Sequence, residues 1–307
     1  MDEYYYAPGM PLDDTEDHLV KAVALKGHVK AIGIRTTALV KEAMKLHNTS
    51  SVVTAALGRF MTGSLMIAEN MKNEDDTQTT IIKCDGPIKG MTCVCDSHGH
   101  ARAYSIENDV ESTYHYPGKL NVGEAVGNGT LTIIRDIGLR DPYTGSVELL
   151  TGEIAEDFTY YLASSEQTPS VVALGVKLDN GEVTHAGGIM IQLMPGYTEE
   201  DVAYVEERAN GGFPEITFLM EEGLSPAKMI DMFLGDPEIT FLEGYPVEFK
   251  CTCSKERLSA SIAALGKADL EDLANDPNGI TAECHFCNSK YHFSPEEIKE
   301  LINQSNK

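Results

Sequence analysis

Four cysteines near the C-terminus restrict the possible folds of this chain more than any other feature. They form two tight pairs, Cys251-x-Cys253 and Cys284-x-x-Cys287. A fold that brings the two pairs together presents four sulfur atoms, which is the ligand set of a tetrahedral Zn²⁺ site. Thiolates are also the form of sulfur that oxidants attack. The spacing therefore indicates a structural zinc clasp or a redox sensor, and both alternatives remain open at this point.

The predicted zinc-binding unit, residues 251–307, is small. We expect helices over 254–265 and 267–273, a strand over 279–283 and a final helix that Ser294 caps. These elements contain few large apolar residues, so the core is thin and a metal would add stability that burial alone cannot supply. Four thiolates around one ion leave no open coordination position, which argues against hydrolytic zinc catalysis.

The hydrophobic pattern of residues 1–195 predicts a large domain that contains both sheets and helices. Apolar, β-branched runs are typical of strands, and longer runs with apolar residues on one face are typical of helices. We expect strands over 19–25, 28–35, 79–84, 91–95, 131–134, 147–150, 171–178 and 188–193, and helices over 36–47, 51–71 and 154–164. The cysteines at Cys84, Cys93 and Cys95 are interpreted as core thiols. The predicted fold class is α+β.

Residues 196–250 differ in composition from the segments on either side. They contain 13 Asp and Glu but 3 Lys and Arg, with frequent Gly and Pro. Short amphipathic helices are expected over 198–209 and 226–234. Such helices are marginal unless an apolar face finds a surface. The segment is either an ordinary helical linker or a region that folds conditionally.

Charge and composition limit the partners of the chain. The formal net charge of −24 over 307 residues disfavours binding to nucleic acid or to an anionic membrane. No run of about 18 apolar residues is apparent, so no membrane span is expected. The acidic N-terminus does not look like a secretory signal, and we expect a cytoplasmic protein. No Walker A sequence is present, so ATP hydrolysis is not supported.

Several short motifs, taken together, are similar to those of one family. They are Ala56-Leu57-Gly58-Arg59, Asp85-Gly86-Pro87, Ser165-Glu166-Gln167, and the C-terminal Cys-x-Cys-Ser and Glu-Cys-x-Phe-Cys-Asn. Over nearly its whole length the chain resembles the 33-kDa redox-regulated heat-shock chaperones of bacteria. The cysteines beyond the four-cysteine set and the N-terminal Tyr4–Tyr6 depart from the family pattern.

The resemblance implies a holdase that works without ATP and is not an enzyme. It implies that Cys251, Cys253, Cys284 and Cys287 hold one Zn²⁺ in the reduced, inactive form. Oxidation would then form the disulfides Cys251–Cys253 and Cys284–Cys287 and release the zinc. In such proteins the linker region loses its structure, and the protein dimerises and captures unfolding client proteins.

Three other hypotheses compete with this one. A thiol–disulfide oxidoreductase that uses Cys284-x-x-Cys287 would need a thioredoxin-like βαβ context. A zinc-ribbon nucleic-acid binder conflicts with the net charge. The third alternative is a protein whose zinc site is purely structural.

Overall fold

The structure is a computed structural model that describes residues 15–71, 73–116 and 118–305, with the side chains of residues 267 and 303–305 left out. The chain forms two compact units, one ending at Phe249 and the other beginning at Lys250. Tyr4–Tyr6 lie outside the described residues. The predicted subdivision of the first unit at residue 195 stays a prediction.

The first unit combines two main sheets with helices, which confirms the predicted α+β class. Its strands are β1 (His18–Ala24), β2 (Val29–Arg35), β3 (Thr77–Cys84), β4 (Gly90–Asp96), β5 (His100–Ser105), β6 (Tyr114–Tyr116), β7 (Lys119–Leu120), β8 (Gly129–Asp136), β9 (Tyr143–Glu148), β10 (Ser170–Asp179), β11 (Glu182–Leu193), β12 (Thr240–Pro246) and β13 (Glu248–Phe249). Its helices are α1 (Thr37–His47), α2 (Ser51–Ala68), α3 (Val122–Val126), α4 (Ala155–Ser164), α5 (Glu199–Asn210), α6 (Ile216–Glu221) and α7 (Pro226–Leu234).

Strand order places distant parts of the sequence side by side. One sheet has the order β10-β11-β2-β1-β12 and the other has the order β13-β5-β4-β3-β8-β9. Neighbouring strands are antiparallel except β13 and β5, which are parallel. The acidic segment therefore adds one strand to each sheet through β12 and β13, which the sequence analysis did not anticipate.

The five-stranded sheet is covered on both faces. Side chains alternate between the faces of a strand. In β2, Ile32 and Ile34 face the same core as α1 and α2, whereas Val29 and Ala31 face a second core built with α5, α6 and α7. Helix α2 is long and apolar enough to cross a membrane, with a mean hydropathy of 1.3, but 89% of it is buried inside the protein. Helix α2 is the central helix of the core that contains Ile32 and Ile34.

Gly33 of β2 allows α7 to approach the sheet closely. A Cβ atom at this position would lie 2.6 Å from the carbonyl oxygen of Pro226 and 3.1 Å from Cδ1 of Ile230. Helix α7 begins where predicted, because the Ser225 hydroxyl accepts a hydrogen bond from the amide of Lys228 and proline occupies the first helical position.

The second unit contains three helices and a hairpin within the described residues. These are α8 (Lys255–Ala263), α9 (Lys267–Ala274), β14 (Ile280–Glu283), β15 (Lys290–Phe293) and α10 (Pro295–Ser305). Its buried cluster consists of five side chains, those of Ile262, Leu270, Ala274, Phe293 and Ile298. At the predicted cap of α10, the Ser294 amide donates to Glu297 Oε2 over 2.8 Å, and the Glu297 amide donates to Ser294 Oγ over 3.3 Å. The core is thin, as the sequence predicts.

Candidate metal centre

The second cysteine pair lies in the turn between β14 and β15. The Cys284 amide donates to the Ser289 carbonyl over 2.9 Å, and the Asn288 amide donates back to the Cys284 carbonyl over 2.8 Å. Asn288 adopts a left-handed conformation with φ 57°, which asparagine tolerates better than most residues. This tight turn holds the thiols of Cys284 and Cys287 on the same side of the hairpin.

The first cysteine pair leads directly into α8. Ser254 is the N-cap of that helix and its hydroxyl accepts a hydrogen bond from the Arg257 amide over 3.3 Å. The Arg257 guanidinium donates to Thr252 Oγ1 over 2.6 Å, which fixes the residue between the two cysteines. The start of α8 therefore positions both Cys251 and Cys253.

The four sulfur atoms converge. They lie within 4.8 Å of one another. Cys251 Sγ is 3.7 Å from Cys284 Sγ, and Cys253 Sγ is 3.3 Å from Cys287 Sγ. Zinc–sulfur bonds of about 2.3 Å in a tetrahedron separate neighbouring sulfurs by about 3.8 Å. The donor set and its spacing therefore fit one tetrahedral, thiolate-bound metal ion.

The thiols of Cys251, Cys284 and Cys287 differ in the direction of their pKa shifts. Burial raises the pKa of Cys251 and of Cys284. Burial also acts to raise the pKa of Cys287, but hydrogen bonds from the side chain and backbone of Ser289 outweigh it and lower that pKa to about 7. A metal ion would have to displace protons from the more basic thiols, so metal binding here is coupled to proton release.

Tyr291 and Ser289 complete the surroundings of the sulfurs, and sequence reasoning did not identify either of them. The Tyr291 hydroxyl lies 3.2 Å from Cys253 Sγ and donates to the Cys253 carbonyl over 3.3 Å. Ser289 Oγ lies 3.2 Å from Cys287 Sγ. Such outer contacts orient metal ligands. Ser289 lies two residues and Tyr291 four residues after Cys287, and this proximity is the signal in the sequence that could have indicated them.

The interpretation of the other three cysteines as core thiols is confirmed for two of them. Cys93 and Cys95 are buried core residues of β4, with sulfurs 3.7 Å apart. Cys84 is only partly buried, because it is the last residue of β3 and packs at the edge of the core. His285 and His292 are exposed and are not among the four residues whose ligand atoms converge. Neither histidine is therefore a candidate ligand of the four-cysteine site.

The Cys284-x-x-Cys287 pair is not placed as it is in a thioredoxin-like enzyme. It lies between two antiparallel strands, β14 and β15, whose register pairs Glu283 with Lys290. A thioredoxin-like pair belongs to a βαβ context. The described part of this unit therefore lacks the framework that the oxidoreductase hypothesis requires.

Fold and site together define an α+β protein with a small C-terminal unit that presents four convergent cysteine sulfurs. A family model described as "Hsp33 protein" matches residues 17–294. The "33 kDa chaperonin" of Bacillus subtilis is 44% identical over 292 residues, covering 94% of this chain and 99% of the relative. The protein of the same name from Lachnoclostridium phytofermentans is 42% identical over 291 residues, with the same coverage.

A solved structure agrees with the sequence comparisons. The crystal structure of the 33 kDa chaperonin (heat shock protein 33 homolog) from Thermotoga maritima has a TM-score of 0.84 and 30% identity, and the match covers 95% of this chain and 99% of that one. The chain therefore belongs to the Hsp33 family.

Proposed function

We propose that this chain is a redox-regulated, ATP-independent chaperone that binds unfolding proteins after its C-terminal thiols are oxidised. The observation that carries the proposal is the convergence of Cys251, Cys253, Cys284 and Cys287 within a unit that has a thin core. Zn²⁺ is the metal that suits four thiolates, and when bound it would hold the reduced unit folded. A purely structural zinc site is the alternative.

The proposed chemistry is the oxidation of each cysteine pair to a disulfide. Two thiolates give up two electrons and form one sulfur–sulfur bond. One molecule of hydrogen peroxide accepts the electrons and, with two protons, becomes two molecules of water. Disulfide sulfurs are no longer thiolate ligands, so their affinity for zinc is lost.

The identity of the disulfides decides whether oxidation opens the unit. The proposed bonds, Cys251–Cys253 and Cys284–Cys287, each lie within one short stretch of chain and leave the two stretches separate. Close sulfur contacts also exist between the pairs, Cys251 to Cys284 over 3.7 Å and Cys253 to Cys287 over 3.3 Å. Bonds between the pairs would staple the start of α8 to the hairpin and preserve the unit. The proposal therefore requires bonds within the pairs.

The proposed effector is the acidic segment over residues 196–249. Its helices cover one face of the five-stranded sheet, where Met229, Ile230, Phe233 and Leu234 of α7 are all buried. If the segment left the sheet, it would expose these side chains together with the apolar face formed by β1, β2 and β11. An extended apolar surface binds other apolar surfaces, including those of unfolding proteins.

Polar contacts also connect the segment to the rest of the first unit, but several of them are exposed. Lys177 Nζ lies 2.6 Å from Glu221, and Lys119 Nζ lies 3.1 Å from Glu215. Exposed ion pairs of this kind contribute little to stability, because water and salt screen them. The apolar contacts of α7 therefore hold most of the docking energy, which is the arrangement expected of a segment that hides a client-binding surface.

We place the active protein in the cytoplasm as a homodimer that binds client proteins and neither nucleic acid nor membranes. The support is the net charge of −24, which would repel polyanions and keep a chaperone–client complex dispersed. Cytoplasmic reducing conditions would keep the resting thiols reduced.

One oxidant titration tests the proposal. Zinc release, free thiols and suppression of client aggregation are measured on the same samples, and the disulfides are mapped by mass spectrometry. We expect the three quantities to change together and the bonds to form within the pairs. Equal aggregation suppression by the reduced protein, or bonds between the pairs in the active protein, would contradict the redox switch.

A further inference from the structure

A second group of metal-binding side chains lies in the first unit, at the turn between β4 and β5. Asp96 is the last residue of β4, His100 is the first residue of β5, and His98 lies in the turn between them. One ligand atom from each of these residues lies within 4.8 Å of the others. We propose that Asp96, His98 and His100 form a thiol-free binding site for a divalent transition-metal ion.

The distances suit one ion shared by the three side chains. Asp96 Oδ1 lies 3.9 Å from His98 Nδ1, and Asp96 Oδ2 lies 2.8 Å from His100 Nδ1. Ligands about 2.0–2.1 Å from a tetrahedral ion are separated by about 3.4 Å, between these two values. The His98 side chain is 52% exposed and has room for the small movement that would bring it into coordination.

The backbone fixes the carboxylate at the centre of this group. Asp96 Oδ1 accepts hydrogen bonds from the amides of His98 and His100 over 2.9 and 3.2 Å. The two imidazole rings are stacked with centroids 5.8 Å apart. The Ser97 hydroxyl lies 3.4 Å from His98 Nδ1, and a metal ion would compete with this weak contact.

Glu248 of β13 lies on the other side of His100. Its Oε1 atom is 3.3 Å from His100 Nε2. If Nε2 donates its hydrogen to Glu248, the Nδ1 lone pair is directed towards Asp96 and can bind the ion. Carboxylates that accept the second N–H of a ligating histidine commonly orient it in this way. We therefore assign Glu248 a positioning role, which would also link the metal to the pairing of β13 with β5.

The ligand chemistry indicates the kind of ion. Imidazole suits zinc, nickel and similar transition metals, whereas calcium and magnesium prefer oxygen ligands alone. Histidine and carboxylate ligands survive oxidants that convert thiolates to disulfides, so this site would keep its ion under conditions that empty a thiolate site. The site is defined by the first unit alone and does not depend on the proposed function.

Calorimetric titration of Ni²⁺ into the full-length, zinc-loaded, reduced chain tests the site. We expect one Ni²⁺ per chain, an affinity at least ~10-fold lower for His98→Gln, and an unchanged affinity for the control His115→Gln, whose histidine is also partly exposed but bonds Glu153. Circular dichroism would verify that the variants fold.

Equal Ni²⁺ affinity in His98→Gln and the unaltered chain would overturn the site, as would an equal loss in His115→Gln. Glu248→Gln separates positioning from coordination. We expect it to weaken Ni²⁺ binding ~10–100-fold without changing the stoichiometry. An unchanged affinity for this variant would overturn the role assigned to Glu248.

Discussion

If the four cysteines hold zinc as we propose, removal of zinc from the reduced protein should unfold the second unit and leave the core of the first unit intact. The buried cluster of the second unit contains four large side chains, those of Ile262, Leu270, Phe293 and Ile298. Burial of each stabilises the fold by about 1.5–3 kcal/mol, or about 6–12 kcal/mol together. Zinc binding to four-ligand peptides contributes about 10–16 kcal/mol. A bound zinc ion would therefore contribute at least about as much as these four buried side chains together.

A small loss of stability is enough to unfold the metal-free second unit. If its folded state lies only ~3 kcal/mol above its unfolded state, less than ~1% of the chains are folded in this region, since each 1.4 kcal/mol is a factor of ten. Hydrogen exchange with mass spectrometry, after chelation under reducing conditions, would measure the loss. We expect β14, β15, α8 and α10 to lose protection and β2 and β11 to retain it.

The chelation experiment needs two controls. A chelator already saturated with zinc should change nothing, and zinc added back should restore protection. Retained protection over residues 280–293, in a chain shown by metal analysis to be zinc-free and by thiol count to be reduced, would refute the reasoning that the metal holds this unit folded.

Four further predictions concern single positions and the order of unfolding. Cys287→Ser should lower zinc affinity at least ~10-fold in a chelator competition, whereas Cys84→Ser, in the first unit, should leave it unchanged. Ile230→Ala should lower the free energy of unfolding of the first unit by ~2–5 kcal/mol in denaturant titrations, whereas Met232→Ala, exposed on the same helix, should change it by less than ~0.5 kcal/mol. Gly33→Ala places a Cβ 2.6 Å from a carbonyl oxygen of α7, so it should displace that helix and allow the reduced protein to suppress client aggregation; inactivity of a folded, reduced variant would contradict this. In the oxidised chain, hydrogen exchange should increase at β13 before it increases at α7. A simultaneous increase at both elements would contradict this order of unfolding.

Sequence reasoning located the elements whose signals are local. The hairpin of β1 and β2, helix α7 and the cap of α10 lie where the pattern predicts, because glycine, proline and capping residues mark their ends. Helix α2 ends at Ala68 rather than at residue 71, and β9 covers Tyr143–Glu148 rather than 147–150. End positions of this kind depend on tertiary packing that local patterns do not encode.

The missed features depend on partners distant in the sequence. Strand β12 contains Glu243, Gly244 and Pro246, which weaken its local strand signal, and it becomes a strand because β1 pairs with it across more than 200 positions. The four convergent cysteines were identified as candidate metal ligands because a known ligand set has a recognisable spacing. The contribution of Tyr291 was not, because its hydroxyl reaches Cys253 only after the hairpin and the start of α8 have been brought together.

The stabilising contacts of residues 196–249 indicate where unfolding of this segment would stop. Strand β13 pairs through two residues, Glu248 and Phe249, and lies immediately before the residues that lead to Cys251. Helix α7, by contrast, buries four large apolar side chains, and their burial contributes about 6–12 kcal/mol in total. Unfolding that begins at Lys250 would therefore free β13 readily and meet its main resistance at α7. Full exposure of the sheet would then require a further source of free energy, which a client's own apolar surface could supply by binding the open state and not the closed one.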